Sequence, residues 1–367
     1  MKDRNTISLA DILRSFGGWR LKLVKLFDHL AGTAIALILP ARPHLEENPN
    51  AVKRILVIRP GGIGDAVFLL PIFRELRALG FSVDVLCEKR NKEVFQSQRG
   101  VCDEIFCYDN VNQFLKVFRK SYDAVIDTEQ WHLFSAIAAY FIKTGARIGF
   151  ATRPLRQKLF EFPVEYGLDT YELENFETLF SIFGIQKKLT LRGSFEVFQE
   201  DLDWAGRELP FSYAVVSLAG SVALRRFTKE QLACIADQVH LKGLKVVFVG
   251  GKDVVGLAPQ GAGLVDLTGQ LSLAMTAAVI KNACFFIGHD SGVLHIACAT
   301  QACVFAIFGP GNDRKWFLPG NGSKLLLNPV YCRPCTRFGY ILPTCQGQFS
   351  CLNIKDKLRR QSFEQTS

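Results

Sequence analysis

From residue 52 onward the chain alternates short apolar runs with segments of helical spacing. Arg54–Arg59 (RILVIR) places four consecutive apolar residues between two arginines, the pattern of a strand buried on both faces. Asp65–Leu79 is predicted as a helix, Ser82–Leu86 and Ala124–Asp127 as further strands. A second series then begins. Tyr213–Leu218 is predicted as a strand, Thr228–Leu241 as a helix, and Lys245–Val249 as a strand. Met275–Asn282 follows as a helix, Cys284–Ile287 as a strand, Gly292–Ala299 as a helix and Cys303–Phe308 as a strand. Such alternation predicts an α/β chain of parallel sheets covered by helices. Residues 160–205 are more polar and read as the crossover between two halves. The expected organisation is an N-terminal amphipathic segment and linker (1–50), a first α/β domain (51–205), a second (206–330) and a cysteine-containing C-terminal segment (331–367).

Before the first strand, residues 19–40 are apolar at Leu23, Phe27, Leu30, Ala34, Leu37 and Ile38, again with helical spacing. Arg20, Lys22 and Lys25 stand near the start. The stretch between Asp28 and Arg42 free of Asp, Glu, Lys and Arg is 13 residues long, whereas a spanning helix needs about 20. A secretory signal would carry its apolar core nearer the start. Two readings stay open: a basic helix lying on an anionic membrane surface, or a helix packed on the protein itself. Pro40, Pro43 and Pro49 mark a linker.

Composition narrows the partners. Apolar residues make up 49% and charged residues 22%, which excludes disordered, collagen-like and long coiled-coil chains. The formal net charge of +9 favours anionic partners. The excess is spread along the chain without a long Lys/Arg block, so no nucleic-acid partner is expected. Cys87, Cys102, Cys107, Cys234, Cys284, Cys298 and Cys303 sit in apolar contexts typical of reduced core thiols, which points to a cytoplasmic location. The remaining four, Cys332, Cys335, Cys345 and Cys351, cluster near the C-terminus. Cys332 and Cys335 have zinc-ribbon spacing and the second pair does not. A structural zinc, free thiols and a disulfide all remain open there.

Three stretches carry chemistry. In RPGGIGDAVFLLP, Gly61, Gly62 and Gly64 lie between a strand and a helix, where the backbone approaches a ligand closely and the helix start offers N–H groups to an anion. The third glycine of a dinucleotide fingerprint is replaced by Val67. Asp65 is read either as the helix N-cap or as a general base. In SLAGSVALRRFTKEQ, Arg225 and Arg226 precede a helix at a strand end, a placement suited to a diphosphate. In FFIGHDSGVLHIACA, a strand leads through Asp290, Ser291 and Gly292 into a helix carrying His295; VFAIFGPGNDRKW brings a second glycine loop to the same sheet edge. Ligands of open α/β sheets bind at such strand ends. Asp290 reads as a cap, Ser291 and Gly292 as donors to phosphate, and His295 as a core residue. No G-x-S-x-G elbow and no His-x-x-x-His pair is present, so neither a serine hydrolase nor a catalytic metal is expected.

Together and in this order, over about residues 52–350, these stretches resemble the family 9 glycosyltransferases, which include the lipopolysaccharide heptosyltransferases. The C-terminal cysteine pattern is similar as well. The resemblance implies a GT-B architecture of two Rossmann-like halves facing a cleft, with the acceptor on the first and the nucleotide-sugar on the second. It implies an inverting transfer of a sugar, heptose from ADP-heptose foremost, to a lipopolysaccharide-core or related lipid-linked glycan, with no metal or cofactor required. Asp65 matches the general base, Arg225 the cation on the donor diphosphate, and Asp290, Ser291 and Gly292 the donor loop. His295 matches a family position without an assigned role, and Asp253 a ribose-binding acid. Where the family has Lys-x-Trp-Pro, this chain reads Arg225-Arg226-Phe227-Thr228. The expected location is the cytoplasm, peripheral to the inner face of the membrane. Two alternatives compete: an NAD(P)-dependent oxidoreductase using Gly62, Gly64 and Glu88, and a GT-B scaffold that binds without catalysis.

Overall fold

The computed structural model describes residues 12, 19–45, 52–185, 188–218, 226–320, 322–337, 340–341, 349–360 and 363. The chain forms two compact units, Met1–Leu189 with Thr336–Pro343, and Thr190–Cys335 with Thr344–Ser367.

The first unit opens with α1 (Trp19–Phe27), a π-turn (Asp28–Gly32) and α2 (Thr33–Ile38). There follow β1 (Arg54–Arg59), α3 (Ile63–Ala78), β2 (Ser82–Cys87), α4 (Lys89–Gln96), β3 (Ile105–Cys107) and α5 (Val111–Phe118). Next come β4 (Ser121–Asp127), α6 (Leu133–Phe141), β5 (Lys143–Phe150), α7 (Pro154–Gln157), β6 (Phe162–Val164) and α8 (Glu172–Phe180). The strands pair in the order β3-β2-β1-β4-β5-β6, all parallel. Five of the six residues of β1 are buried, as a strand covered on both faces requires.

The second unit repeats the plan. It contains α9 (Gln199–Glu208), β7 (Tyr213–Ser217), α10 (Lys229–His240), β8 (Lys245–Val249), β9 (Leu264–Asp266) and α11 (Leu273–Lys281). β10 (Phe285–His289), α12 (Gly292–Ala299), β11 (Val304–Phe308), α13 (Asp313–Trp316) and β12 (Lys324–Leu327) complete the sheet. Its order, β9-β8-β7-β10-β11-β12, is again parallel throughout. Two apolar layers flank it, one holding Val216, Ile235, Phe248 and Ile287, the other Val215, Val247, Phe286 and Leu294. A short hairpin, β13 (Thr336–Arg337) with β14 (Tyr340–Ile341), and α14 (Lys355–Arg360) end the described chain.

The polar stretch 160–205 is more structured than its composition suggests, holding β6, α8 and α9. The N-terminal helix also departs from simple periodicity. The π-turn brings both Asp28 and Gly32 inward. The Asp28 carboxylate accepts from the backbone N–H of Leu133 (3.0 Å) and Phe134 (2.9 Å), so a distant segment caps α6. A Cβ on Gly32 would lie 3.0 Å from that of Leu133, and Ala36 is fully buried in the first unit's core. Small residues thus let the helix seat closely on α6.

Candidate active site

In each unit the strand order reverses beside the first strand, between β1 and β4 and between β7 and β10. Loops leaving the carboxyl ends of strands at such points form the ligand crevice of doubly wound sheets. Of the predicted residues, Gly61 and Gly62 lie on the loop after β1 with Gly64 and Asp65 in the first turn of α3, Asp290 and Ser291 lie after β10 with Gly292 and His295 in α12, and Asp253 follows β8.

In the first unit β1 ends in Arg59, which is 1% exposed. Its guanidinium donates to the Thr128 carbonyl (2.9 Å) and lies 3.4 Å from Glu129 Oε2 and 4.0 Å from Asp65 Oδ1. Burial works against this charge, but the carboxylates of Asp65, Glu129, Glu172 and Asp127 outweigh it and hold the arginine above its ordinary range. Glu129, also buried, is held below the usual carboxylate range: burial raises it, while His132, Arg59, Arg156 and the Trp131 N–H lower it more. Gly61 turns here with φ +110°, and a Cβ at this position would lie 3.0 Å from Arg59 Nη2. Glycine therefore answers both the backbone angle and the guanidinium packed beneath it.

Asp65 is not an N-cap. Helix α3 begins one position after Gly62, which occupies the cap without a side-chain bond, and Asp65 lies in the first turn. Its carboxylate, 21% exposed, faces Gly62, where an added Cβ would lie 3.2 Å from Oδ2. One oxygen is oriented by Arg59 and the group still reaches solvent, which is what a proton acceptor needs. Glu88, the acid a dinucleotide reading would place on a ribose, is engaged otherwise. It accepts from Gly61 N (3.1 Å) and from the Tyr108 hydroxyl, pairs with Arg90 and forms the capping box of α4 with Asn91.

In the second unit β10 delivers Asp290, Ser291 and Gly292. Ser291, not Asp290, is the N-cap of α12, accepting from Leu294 N at 3.5 Å. Ser has the cap geometry because its backbone is extended (φ −160°). Asp290 turns instead toward the next loop. A Cβ on Gly311 would come 2.4 Å from Asp290 Oδ2, so the glycine after β11 is what lets the two loops meet. His295 is 4% exposed, with Nε2 3.9 Å from Asp290 Oδ1 and its ring 5.8 Å from that of Trp316, in keeping with a core position. Asp253, expected on a ribose, forms an ion pair with Arg226 (2.9 Å). Phe227 packs at a tilt against His289 with ring centroids 4.3 Å apart, and Thr228 caps α10 in a capping box with Gln231. Arg225 lies outside the described residues.

The cysteine segment packs on the same edge. Cys335 N donates to the Pro310 carbonyl (3.0 Å), and a Cβ on Gly309 would meet Leu352 at 2.2 Å and Cys351 Sγ at 3.6 Å. Cys332 is a free thiol, and Cys345 lies outside the described residues. Among the described residues no cluster of three His, Cys, Asp or Glu side chains is arranged to hold a metal.

Sequence reasoning missed Arg59, Glu129 and Arg333. Arg333 donates to the carbonyls of Gly309 and Gly311 and pairs with Asp313 at 2.9 Å, which pins the second glycine loop. An arginine two positions before the glycines was a visible signal; its partner 70 positions away was not.

Over residues 112–344 the chain matches the family model for glycosyltransferase family 9 (heptosyltransferase). The chain belongs to that family. The match begins past the Gly61–Asp65 loop, so that loop is read from geometry. Lipopolysaccharide heptosyltransferase 3 of Escherichia coli is 27% identical over 131 residues, a stretch covering 34% of this chain and 38% of that protein. Among solved structures, the glycosyl transferase family 9 protein of Veillonella parvula superposes with a TM-score of 0.65 at 16% identity, covering 87% of this chain and 97% of the other. The E. coli ADP-heptose LPS heptosyltransferase II superposes with a TM-score of 0.64 at 16% identity, covering 76% and 92%. At such identities the likeness shows the fold, the pair of Rossmann-like domains of the GT-B class. Family membership and the engaged Glu88 carboxylate leave the oxidoreductase alternative without support.

Proposed function

We propose that the protein is an inverting glycosyltransferase that moves a sugar, heptose from ADP-heptose foremost, onto a lipopolysaccharide-core or related lipid-linked glycan. The observation that carries this reading is the Asp65 carboxylate: free of capping, open to solvent and oriented by a buried arginine at the mouth of the first crevice. The transfer is a single displacement. An acceptor hydroxyl oxygen attacks the anomeric carbon from the face opposite the diphosphate, and Asp65 takes its proton. The bond from carbon to the diphosphate oxygen breaks, the nucleoside diphosphate leaves with the electron pair, and the configuration inverts.

Charge growing on the leaving group needs a counter-charge. The N–H groups at the start of α12 and the side chain of Arg225 suit that task, so the transfer is proposed to need no catalytic metal. The similarity to the E. coli ADP-heptose LPS heptosyltransferase II and the net charge of +9 support an anionic donor of that kind.

Asp65→Asn is expected to leave folding intact and to lower turnover by about 10²–10⁴-fold. Near-native turnover in that variant would reduce Asp65 to a structural residue. Mass spectrometry after incubating ADP-, UDP- and GDP-sugars with a lipid-A-core extract identifies the donor, and a chelator arm tests the metal. Calorimetry on Arg225→Ala should show weaker nucleotide binding; unchanged affinity would remove that residue from the site.

A further inference from the structure

Six apolar side chains stand in solvent along the N-terminal helix: Leu23, Val24, Phe27, Leu30, Leu37 and Ile38, the last 80% exposed. They recur at intervals that keep returning to one side of a helix. The opposite side is fixed to the protein by the Asp28 cap on α6 and the close seat of Gly32, and Phe27, at the border of the exposed side, stacks on Phe134 at 5.5 Å. The helix is therefore not free to turn its apolar side inward.

The same edge is cationic. Between Trp19 and Leu45 the chain has four Lys or Arg residues, of which Lys25 is partly buried and lowered by that burial to a pKa of about 8, and one acid, Asp28, which is buried. Where α2 ends, an open depression of about 450 Å³ is lined by Arg42, His44, Gln157 and Lys158 with Ala41 and Pro154. Lys158 ties this depression to the helix end by donating to the carbonyls of Leu37 (3.3 Å) and Leu39 (2.8 Å). The acid beneath, Glu161, is shared between Arg42 (3.8 Å) and Arg147 (3.1 Å), so the pocket keeps a positive balance.

We propose that this face is a docking surface for a bilayer of anionic phospholipids: the apolar side chains enter the acyl boundary with the helix in the membrane plane, and a headgroup phosphate sits in the Arg42–His44–Lys158 depression. Among the described residues no helix is long and apolar enough to cross a membrane, which leaves in-plane binding as the mode the helix can adopt. The charge complementarity selects this occupant over a neutral apolar partner, because basic residues beside an in-plane helix are attracted by anionic lipid. The inference does not depend on the transferase reading, although a lipid-linked acceptor would lie on the same surface.

The test is flotation of the full chain with vesicles of phosphatidylcholine alone and of an equal mixture of phosphatidylcholine and phosphatidylglycerol. Binding is expected to the mixed vesicles, to weaken in high salt, and to be poor on the neutral ones. Val24→Gln with Leu30→Gln and Ile38→Gln should lower partitioning by about tenfold or more, since exposed positions lose the apolar gain without disturbing the core. Lys158→Gln should cost about fivefold for the one charge lost near the surface. Leu30→Gln alone keeps the test readable should the triple variant lose stability. Asp65→Asn should float as the unaltered chain does, which separates this result from any failure of the enzymatic reading. The proposal is overturned if the unaltered chain ignores anionic vesicles, if it binds neutral ones equally, or if the triple variant binds undiminished. It is also overturned if light scattering shows a dimer that the triple variant breaks while neither form floats, since the face would then belong to a second copy.

Discussion

Beside β1, the first unit stores fixed charge: a buried guanidinium with Glu129 on one side and Asp65 on the other. Beside β10, the second unit offers a helix start capped by Ser291 and a neighbouring loop whose Gly311 fits under Asp290. The strand orders are the same and the chemistry is not. A proton acceptor works best when a fixed neighbour orients it before the substrate arrives, and a buried charge can be kept only if it is paired. An anion site faces the reverse problem. Permanent buried cations without an anion would be costly, whereas backbone N–H groups at a helix end remain hydrated until the ligand replaces water.

The contrast breaks most visibly at Arg59. Arg59→Met removes one cation from a buried set and leaves Glu129 with His132, Arg156 and the Trp131 N–H to offset its burial. The expected loss is about 3–5 kcal/mol of stability in urea unfolding. Adding Glu129→Gln to the same chain should recover part of it, and the coupling between the two sites is the quantity to measure. Purely additive losses would show that the charges do not act as a unit.

Much of the frame was legible because parallel strands buried on both faces must be apolar runs. β1, β8 and α12 stand where the pattern placed them. The short edge strands β3, β6 and β9, three residues each, carry too few positions to show a period. At the site, Asp65, Ser291 and Gly292 could be found by their place between strand and helix. The capping roles could not: Asp65 and Asp290 both look like N-caps, but the caps are Gly62, three residues before Asp65, and Ser291, one residue after Asp290. Arg59 and Glu129 meet only through the β1–β4 pairing, which no local window contains.

In the second unit the sharpest disturbance is steric. Gly311→Ala would place a methyl carbon 2.4 Å from Asp290 Oδ2 and force the two loops apart. Overpacking of this kind costs about 1–3 kcal/mol, and, if residues 290–292 form the proposed donor loop, a comparable displacement corresponds to about a tenfold weaker nucleotide affinity. Calorimetry with ADP is the measurement. An unaltered affinity would mean that contact between the loops does not shape the nucleotide site.

Asp28 sharpens the comparison, because it combines the two strategies: a buried carboxylate, as in the first crevice, used on helix N–H groups, as in the second. Burial raises its pKa, but the His132 side chain (3.1 Å) and the N–H groups of Phe134 and Leu133 lower it more, so the folded value lies below the ordinary one. A group with a depressed folded pKa stabilises the fold above its unfolded pKa, about 3.9 for aspartate, and loses that contribution as pH falls through the lower folded value. Asp28→Ala should therefore cost about 0.5–2 kcal/mol, the range for losing a helix cap. In urea titrations at a series of pH values, the gap between the two proteins should stay constant above about pH 4 and close below it as Asp28 becomes protonated in the folded chain. A gap that persisted unchanged into strong acid would mean that the side chain acts by packing alone, and the charge-based account of how the N-terminal helix is held would fail.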